Sequence, residues 1–255
     1  MHNLDLTAIC KTFFRPESLN FLLESYGSYQ DHTGQIFKEI IISDDSSEEV
    51  KEKNKEIVEK FKIKYPNYPI KYLDLEFDSG LSYGRNKMIE EVSTEHFLLL
   101  DDDLIFHKLC NIENQLNLSK EKGVDILGGD FYNLNTKGKK RPIFKTNFYG
   151  IFNENSENFN IWFIHDYFPK FKYCDIINNF FIGKTSSINK VKWEENLKLG
   201  EHEEFFIRAK LKHNLRVAYS NELFVKHNPI KSKEYLTFRN RFSGIQNRAN
   251  IMQEI

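Results

Sequence analysis

Apolar residues in the first half of the chain fall into short β-branched runs, separated by stretches in which they recur at helical spacing. The runs predict strands near residues 6–10, 39–43, 70–73, 95–100 and 125–129, each closed by polar or glycine positions. Between them, amphipathic segments predict helices near 16–29, 47–65, 81–92 and 111–122. Pro16 suits a first helical turn, and Ser46 or Ser47 followed by Glu49 can cap the second helix. Such alternation is the signature of a mostly parallel sheet with helices on both faces. After Gly129 the pattern changes. Tyr, Phe and Asn interleave through 131–181, with turn signals at 137–139 and 153–158, which predicts antiparallel strands and loops. A helix near 201–214, a strand near 216–220, a strand end at 224–227 and a polar, arginine-containing tail follow. No Pro- or Ser-rich linker divides the halves, so the expectation is one α/β domain over residues 1–255.

Charge narrows the function classes. Lys and Arg number 36 against 37 Asp and Glu, a net charge of −1, so no overall field steers the chain to nucleic acid. The Lys/Glu run over 48–64 reads as the solvated face of the second helix. Three cysteines, Cys10, Cys110 and Cys174, have neither disulfide-framework nor zinc-ligand spacing, which fits a reducing compartment. The N-terminus lacks a basic stretch leading into an apolar one, and no run approaches the ~18–20 apolar residues of a membrane span. The expectation is a cytoplasmic protein, peripheral to a membrane at most, or a soluble domain cut from something larger.

Four segments carry candidate chemistry. Phe97–Phe106 reads FLLLDDDLIF and places Asp101, Asp102 and Asp103 at the end of a buried strand, where three anions are costly without a cation. Ligands of open α/β sheets bind outside the carboxyl ends of strands, so Asp101 and Asp103 suit a divalent ion that a diphosphate also ligates. An acidic, hydrated turn is the plainer alternative. A second strand end carries Asp44 and Asp45, either of which can accept hydrogen bonds from a base or ribose or cap the following helix. The third segment, SGLSYGRNK, matches neither standard phosphate loop, yet Gly84 and Arg85 open a helix where a nucleotide can sit. The fourth packs Glu201, His202, Glu203 and Glu204 at a helix start. Successive helical residues splay, so at most two of them face a cleft as general-base candidates while Phe205 or Phe206 anchors the core. His227 ends a later strand, where an isolated histidine is more often structural.

Taken in order, these segments resemble the GT-A glycosyltransferases of family 2. The runs KTFFRP, GRN, LLLDDDLIF, ILGGD, NNFFIGKT and HEEFF are similar to the ganglioside-type β-1,4-N-acetylgalactosaminyltransferases and their microbial relatives, over roughly residues 6–229. The resemblance implies a Rossmann-like nucleotide-sugar half over about 1–130 and a mixed or antiparallel acceptor half over about 131–230. A tail over 231–255 would follow, in which Arg239 and Arg241 fold over the diphosphate as a lid. It places Thr12, Arg15 and Asp45 around base and ribose, Arg85 near the nucleotide, and Gly128 and Gly129 along the donor sugar. It makes Asp101, Asp103 and His227 the ligands of Mn²⁺ or Mg²⁺, with Asp102 completing the nucleotide-side triplet. The base stays open among Glu201, His202, Glu203 and Glu204, because many family 2 enzymes have Glu-Asp where this chain has Glu201-His202. The implied reaction is inverting transfer from a UDP-sugar, UDP-N-acetylgalactosamine first, to a glycan or glycolipid hydroxyl in surface polysaccharide synthesis. The aromatic stretch 162–181 would offer faces for stacking acceptor sugars. A nucleotidyltransferase would need a glycine-rich loop after the first strand, which KTFFRP lacks, and the acidic triplet lacks the DxDx[TV] form of a phosphatase nucleophile. A non-catalytic nucleotide-sugar-binding module keeps every one of these residues.

Overall fold

The computed structural model of the protein describes residues 2–134, 144–146, 149–155, 158–164, 169–197, 200–230 and 232–241. The first half runs β1 (His2–Asn3), β2 (Leu6–Thr12), α1 (Pro16–Thr33), β3 (Gln35–Ile36), β4 (Glu39–Asp44), α2 (Glu48–Lys64), β5 (Ile70–Asp74), α3 (Leu81–Glu91), β6 (His96–Asp101), β7 (Leu104–Phe106), α4 (Ile112–Lys122) and β8 (Ile126–Asn133). The second half adds β9 (Phe144–Thr146), β10 (Tyr149–Asn155), β11 (Asn158–Ile164), β12 (Lys172–Cys174), β13 (Ile176–Ile177), β14 (Phe181–Lys184), α5 (Thr185–Val191), α6 (Glu201–Leu211), β15 (Val217–His227) and α7 (Lys233–Arg241).

The main sheet has ten strands in the order β12-β15-β8-β14-β6-β2-β4-β5, with β7 beside β15 and β9 beside β8. Strands β5, β4, β2 and β6 are parallel, and β14 lies antiparallel between β6 and β8. The second half thus inserts the antiparallel β14 between two strands of the first half. Alternate residues of the central strands feed two cores. Ala8, Cys10, Ile40, Ile42, Leu98 and Leu100 pack under α1, α2 and α4, whereas Ile9, Ile41, Phe97 and Leu99 pack under α3, α5 and α6. Both faces are covered, which is why these strands read as continuous apolar runs.

Several elements differ from expectation. Helix α1 extends to Thr33, where Gly34 at φ 69° closes it. The strands expected near 216–220 and 224–227 are one strand, β15, running Val217–His227, whose register along β8 shifts between Tyr219 and Phe224. Helix α6 ends at Leu211 rather than 214, and the short β7 and α5 were not expected. A three-stranded sheet, β11-β10-β13, supplies the antiparallel part of the second half. No helix among the described residues is long and apolar enough to cross a membrane.

The site follows from strand order. Strand β2 is followed outward by β4 and β5, and the chain then returns to β6 on the opposite side of β2. That reversal opens a crevice at the carboxyl ends of β2 and β6, where open α/β sheets bind ligands. Register brings Lys11 opposite Asp101 and Thr12 opposite Asp44 along that edge.

Candidate active site

A cleft of about 410 Å³ lies over this edge, with Lys11, Arg15, Asp45 and Asp101 on the strand side and Glu201, His202 and Glu203 on the opposing helix α6. Its floor is a set of buried ion pairs. Asp102 is fully buried; it accepts from Thr12 Oγ1 at 2.8 Å and Arg15 Nε at 3.2 Å, and Arg15 Nη2 also pairs with its second oxygen. Burial pushes the Asp102 carboxyl up to about 7, against the opposing pull of Arg15. Arg15 Nη1 donates to Asp103 Oδ2 at 2.9 Å. Burial alone would raise Asp103, but His227 and Arg15 together hold it below the usual carboxylate range.

Beside it, Lys11 Nζ pairs with Asp45 Oδ1, while Asp45 Oδ2 accepts from the Gly80 backbone N–H at 2.7 Å. Burial lowers the Lys11 ammonium and Asp45 opposes that shift. Arg85, 1% exposed, lies behind the cleft wall, donating from Nη2 to Asp101 Oδ1 at 3.1 Å, with Nη1 3.8 Å from Glu201 Oε1. It thus ties the strand side of the cleft to helix α6. Burial raises both Asp101 and Glu201, and Arg85 opposes the shift in each. The cleft mouth is aromatic. Tyr235 of α7 lies 4.4 Å beneath the Arg15 guanidinium, and Phe238 meets Phe13 edge-on at 5.2 Å and Phe14 face-on at 5.3 Å.

Two histidines complete the geometry. His202 Nδ1 lies 2.6 Å from Asn179 Oδ1, so the tautomer protonated there donates to Asn179 and carries its lone pair on Nε2. Burial, reinforced by Arg85 and only partly opposed by a hydrogen bond to the Ile177 backbone, lowers this imidazole to about 3, so it is neutral at physiological pH. His227 Nδ1 lies 2.7 Å from Asn133 Oδ1, and its Nε2 faces Asp103 Oδ2 at 3.6 Å. With Nδ1–H donating to Asn133, Nε2 is turned toward the Asp103 carboxylate, a pair of donor atoms that a cation between them would satisfy. The donor chemistry of Asp103 and His227 fits a divalent ion. Among the described residues, however, no group of three or more His, Cys, Asp or Glu side chains stands ready to hold one. Asp103 and His227 face each other, while one oxygen of Asp101 is engaged by Arg85.

Residues 8–191, from β2 through α5, match the family described as Glycosyl transferase family 2. The chain belongs to that family. Mouse beta-1,4 N-acetylgalactosaminyltransferase 2 is 28% identical over 202 residues, covering 79% of this chain and 35% of that protein. Human beta-1,4 N-acetylgalactosaminyltransferase 1 is 24% identical over 246 residues, 94% of this chain and 42% of that protein. The chain therefore spans about two fifths of the length of the curated relatives it matches. S. aureus TarS 1–349 in complex with UDP-GlcNAc superposes with a TM-score of 0.61 at 19% identity, over 97% of this chain and 69% of that one. Mannosyltransferase PcManGT from Pyrobaculum calidifontis, in complex with GDP-Man and Mn²⁺, gives 0.63 at 9% identity, over 99% and 65%. At such identities the likeness is one of fold, and the fold is GT-A.

Within this family 2 chain, not every expected residue reaches the cleft. Arg15, Asp45, Asp101, Glu201, His202 and Glu203 line it. Asp44 does not: fully buried, it accepts from the Ser46 N–H at 2.9 Å, Asn54 Nδ2 at 2.7 Å and Tyr72 OH at 2.6 Å, and braces the start of α2. Glu204 also turns away, its carboxylate gripping Arg208 at 2.6 and 2.9 Å on the far side of α6. Thr12 and Asp102 form the floor, and Arg85 acts from behind the wall. Gly84 admits Lys11, whose Cγ would lie 2.8 Å from an added Cβ. Gly128 and Gly129 are packing positions, where a Cβ would meet Ile177 Cδ1 or the Leu223 carbonyl oxygen at 2.2 Å. Gly129→Ala should therefore cost at least ~1–3 kcal/mol through overpacking, since backbone yields less readily than a side chain tip. A calorimetric Tm drop checks this; an unchanged Tm with weakened donor binding would return Gly129 to the donor sugar.

Sequence reasoning assigned no role to Lys11, Phe13, Asp78, Asn179, Tyr235 or Phe238, all of which line the cleft. Lys11 carried a signal, a lone charge closing the apolar strand LTAICKT. Tyr235 and Phe238 of helix α7 line the cleft, while the side chains of Arg239 and Arg241, expected as a lid, and residues 242–255 lie outside the described residues. In the aromatic stretch, Phe180 and Phe181 are core, Trp162 is exposed, and residues 165–168 lie outside the described residues.

Proposed function

We propose that this chain transfers a sugar from a nucleoside diphosphate donor to an acceptor hydroxyl with inversion of the anomeric centre. The observation that carries the reading is the meeting, across one cleft, of the acidic ends of β4 and β6 with the Glu201–Glu203 face of α6. One side offers ribose and diphosphate chemistry, the other a general base. The UDP-GlcNAc and GDP-Man complexes of proteins with this fold support a nucleotide-sugar donor, and the sequence relatives favour a UDP-N-acetylhexosamine. A glycan or glycolipid acceptor in surface polysaccharide synthesis, at a cytoplasmic membrane face, is the setting that suits such a donor.

The chain's own groups divide the work. Lys11 and Asp45, with the Phe13 and Phe238 rings, would hold the base and ribose, and Arg15 would face the diphosphate from between Asp102 and Asp103. Asp103 and His227 would hold a divalent ion, which when bound supplies positive charge to the departing diphosphate. Glu204 is consumed by Arg208 and Glu201 faces Arg85, which leaves His202 and Glu203 toward the acceptor. His202 is the better placed base because its ring lines the cleft and is held by Asn179. Its Nε2 would take the acceptor proton as that oxygen forms the new bond to the anomeric carbon. The carbon–oxygen bond to the diphosphate breaks on the opposite face, and the electron pair leaves with the diphosphate.

The test is nucleoside diphosphate release from a panel of UDP-, GDP- and dTDP-sugars, with acceptor oligosaccharides and Mn²⁺. Acceptor-dependent release with an inverted linkage by NMR is expected. Donor binding without turnover across the panel would favour the non-catalytic module.

A further inference from the structure

The loop that leads into α6 is held by a residue outside the cleft. Asn86, 3% exposed on α3, accepts the Trp193 backbone N–H on Oδ1 at 2.8 Å and donates from Nδ2 to the Trp193 carbonyl at 2.9 Å. The same amide nitrogen donates to Glu195 Oε1 at 2.8 Å. A side-chain amide thus imitates one rung of a strand and satisfies both backbone groups of a single residue. The Trp193 ring lies flat against Phe205 of α6, with centroids 4.6 Å apart and planes 13° apart, and 5.5 Å from the Arg85 guanidinium. Phe205 is one helical turn beyond Glu201, so the two share a face of α6. Just before Trp193, Lys192 adopts φ 52° and ψ 159°, a conformation that side-chain-bearing residues hold only where their surroundings over-determine it. Arg208 Nη2, donating to the Lys192 carbonyl at 2.8 Å, and Asn86, accepting the Trp193 N–H, both hold the peptide group that follows it.

We infer that Asn86 is a positioning residue for transfer: by clamping Trp193 it fixes Phe205, and with it the rotation of α6 that presents His202 and Glu203 to the acceptor. The inference rests on the transferase reading above. Helix α3 then serves two ends of the site, since Arg85 spans Asp101 and Glu201 while the adjacent Asn86 sets the helix carrying the base. Asn86 is not among the residues that line the cleft, so its loss acts on geometry at the reacting centre and not on donor contacts.

The test uses Asn86→Ala and the milder Asn86→Asp, which keeps the acceptor for the Trp193 N–H but removes the donor. Turnover and UDP affinity are measured on the whole chain. Displacing a base by ~1 Å costs about 100-fold, so kcat should fall roughly that much with UDP Kd within about threefold of wild type. Combining Asn86→Asp with Glu195→Gln restores a donor opposite the new carboxylate and should recover about tenfold of kcat. Equal losses in kcat and UDP affinity, or an unchanged kcat, would overturn the inference. A second readout needs no turnover. The chain has two tryptophans, and in a Trp162→Phe background the buried Trp193 emits alone. Its emission should shift to the red in Asn86→Ala, and an unshifted spectrum would overturn the clamp itself. Absence of turnover in the wild type would instead overturn the transferase reading.

Discussion

Replacing His202 with alanine is expected to lower kcat by about 10²–10⁴-fold while UDP affinity stays within about threefold of wild type. The ring lines the cleft on the α6 side and is fixed by Asn179. Its loss removes an interaction made as the acceptor proton departs, so kcat and kcat/KM should fall together. Because the free imidazole is held down to about 3, its basic form persists on acidification. His202 should therefore contribute no acid limb to kcat/KM between about pH 5 and 8. Glu204→Gln, which loosens the grip on Arg208, should lower Tm and reduce kcat far less than His202→Ala. If Glu203→Gln abolished turnover and His202→Ala did not, the base would be Glu203.

Arg15→Ala should be the most damaging single change to stability. It leaves the fully buried Asp102 without its cation and removes the charge between Asp102 and Asp103. Breaking a buried pair from one side costs about 3–5 kcal/mol, which in a chain of this size is a Tm loss on the order of 10 °C. The sign of the pH dependence follows from Asp102. Its folded-state value is raised above the unfolded one, so the penalty is full at pH 8 and is relieved as pH falls through about 7. Without Arg15 the carboxyl rises further, and the variant should regain stability between pH 8 and 5 more steeply than wild type. Asp102→Asn in the same chain should restore most of the loss, since the buried charge is then gone. Thermal melts across pH for the three proteins check this. A Tm loss independent of pH and unrepaired by Asp102→Asn would mean that Arg15 acts through packing on Tyr235 alone.

Much of this site was legible because its strands are buried on both faces. Ile40–Ile42 and Phe97–Leu100 could only be central strands, and the acids that close them could only lie on the edge where a ligand binds. The phase of α6 was not legible. Which of four consecutive residues faces the cleft depends on Phe205 stacking against Trp193, a contact between segments that no local pattern records. The Glu204–Arg208 pair, four residues apart, was the available hint that Glu204 points elsewhere. The glycines of ILGGD were ambiguous for a related reason. A missing Cβ suits a sugar or a neighbouring strand equally, and here Ile177 and Leu223 occupy the space. Strand β7 and helix α5, at three and seven residues, are too short to show a period. Asp44 and Asp45 look alike in sequence, yet alternation along the strand end sends one to Asn54 and Tyr72 and the other to Lys11.

The most direct test is the melting temperature of the protein with UDP, with and without Mn²⁺, in wild type, His227→Ala and Asp45→Ala. A ligand that binds only the folded chain stabilises it by about 2.7 kcal/mol at 100 times its Kd. UDP should raise Tm in wild type, Mn²⁺ should enlarge the shift, and His227→Ala should keep the first effect and lose the second. Asp45→Ala should diminish both. No stabilisation by UDP, GDP or dTDP, with or without Mn²⁺, would mean that the cleft between β2, β6 and α6 is not a nucleotide-sugar site.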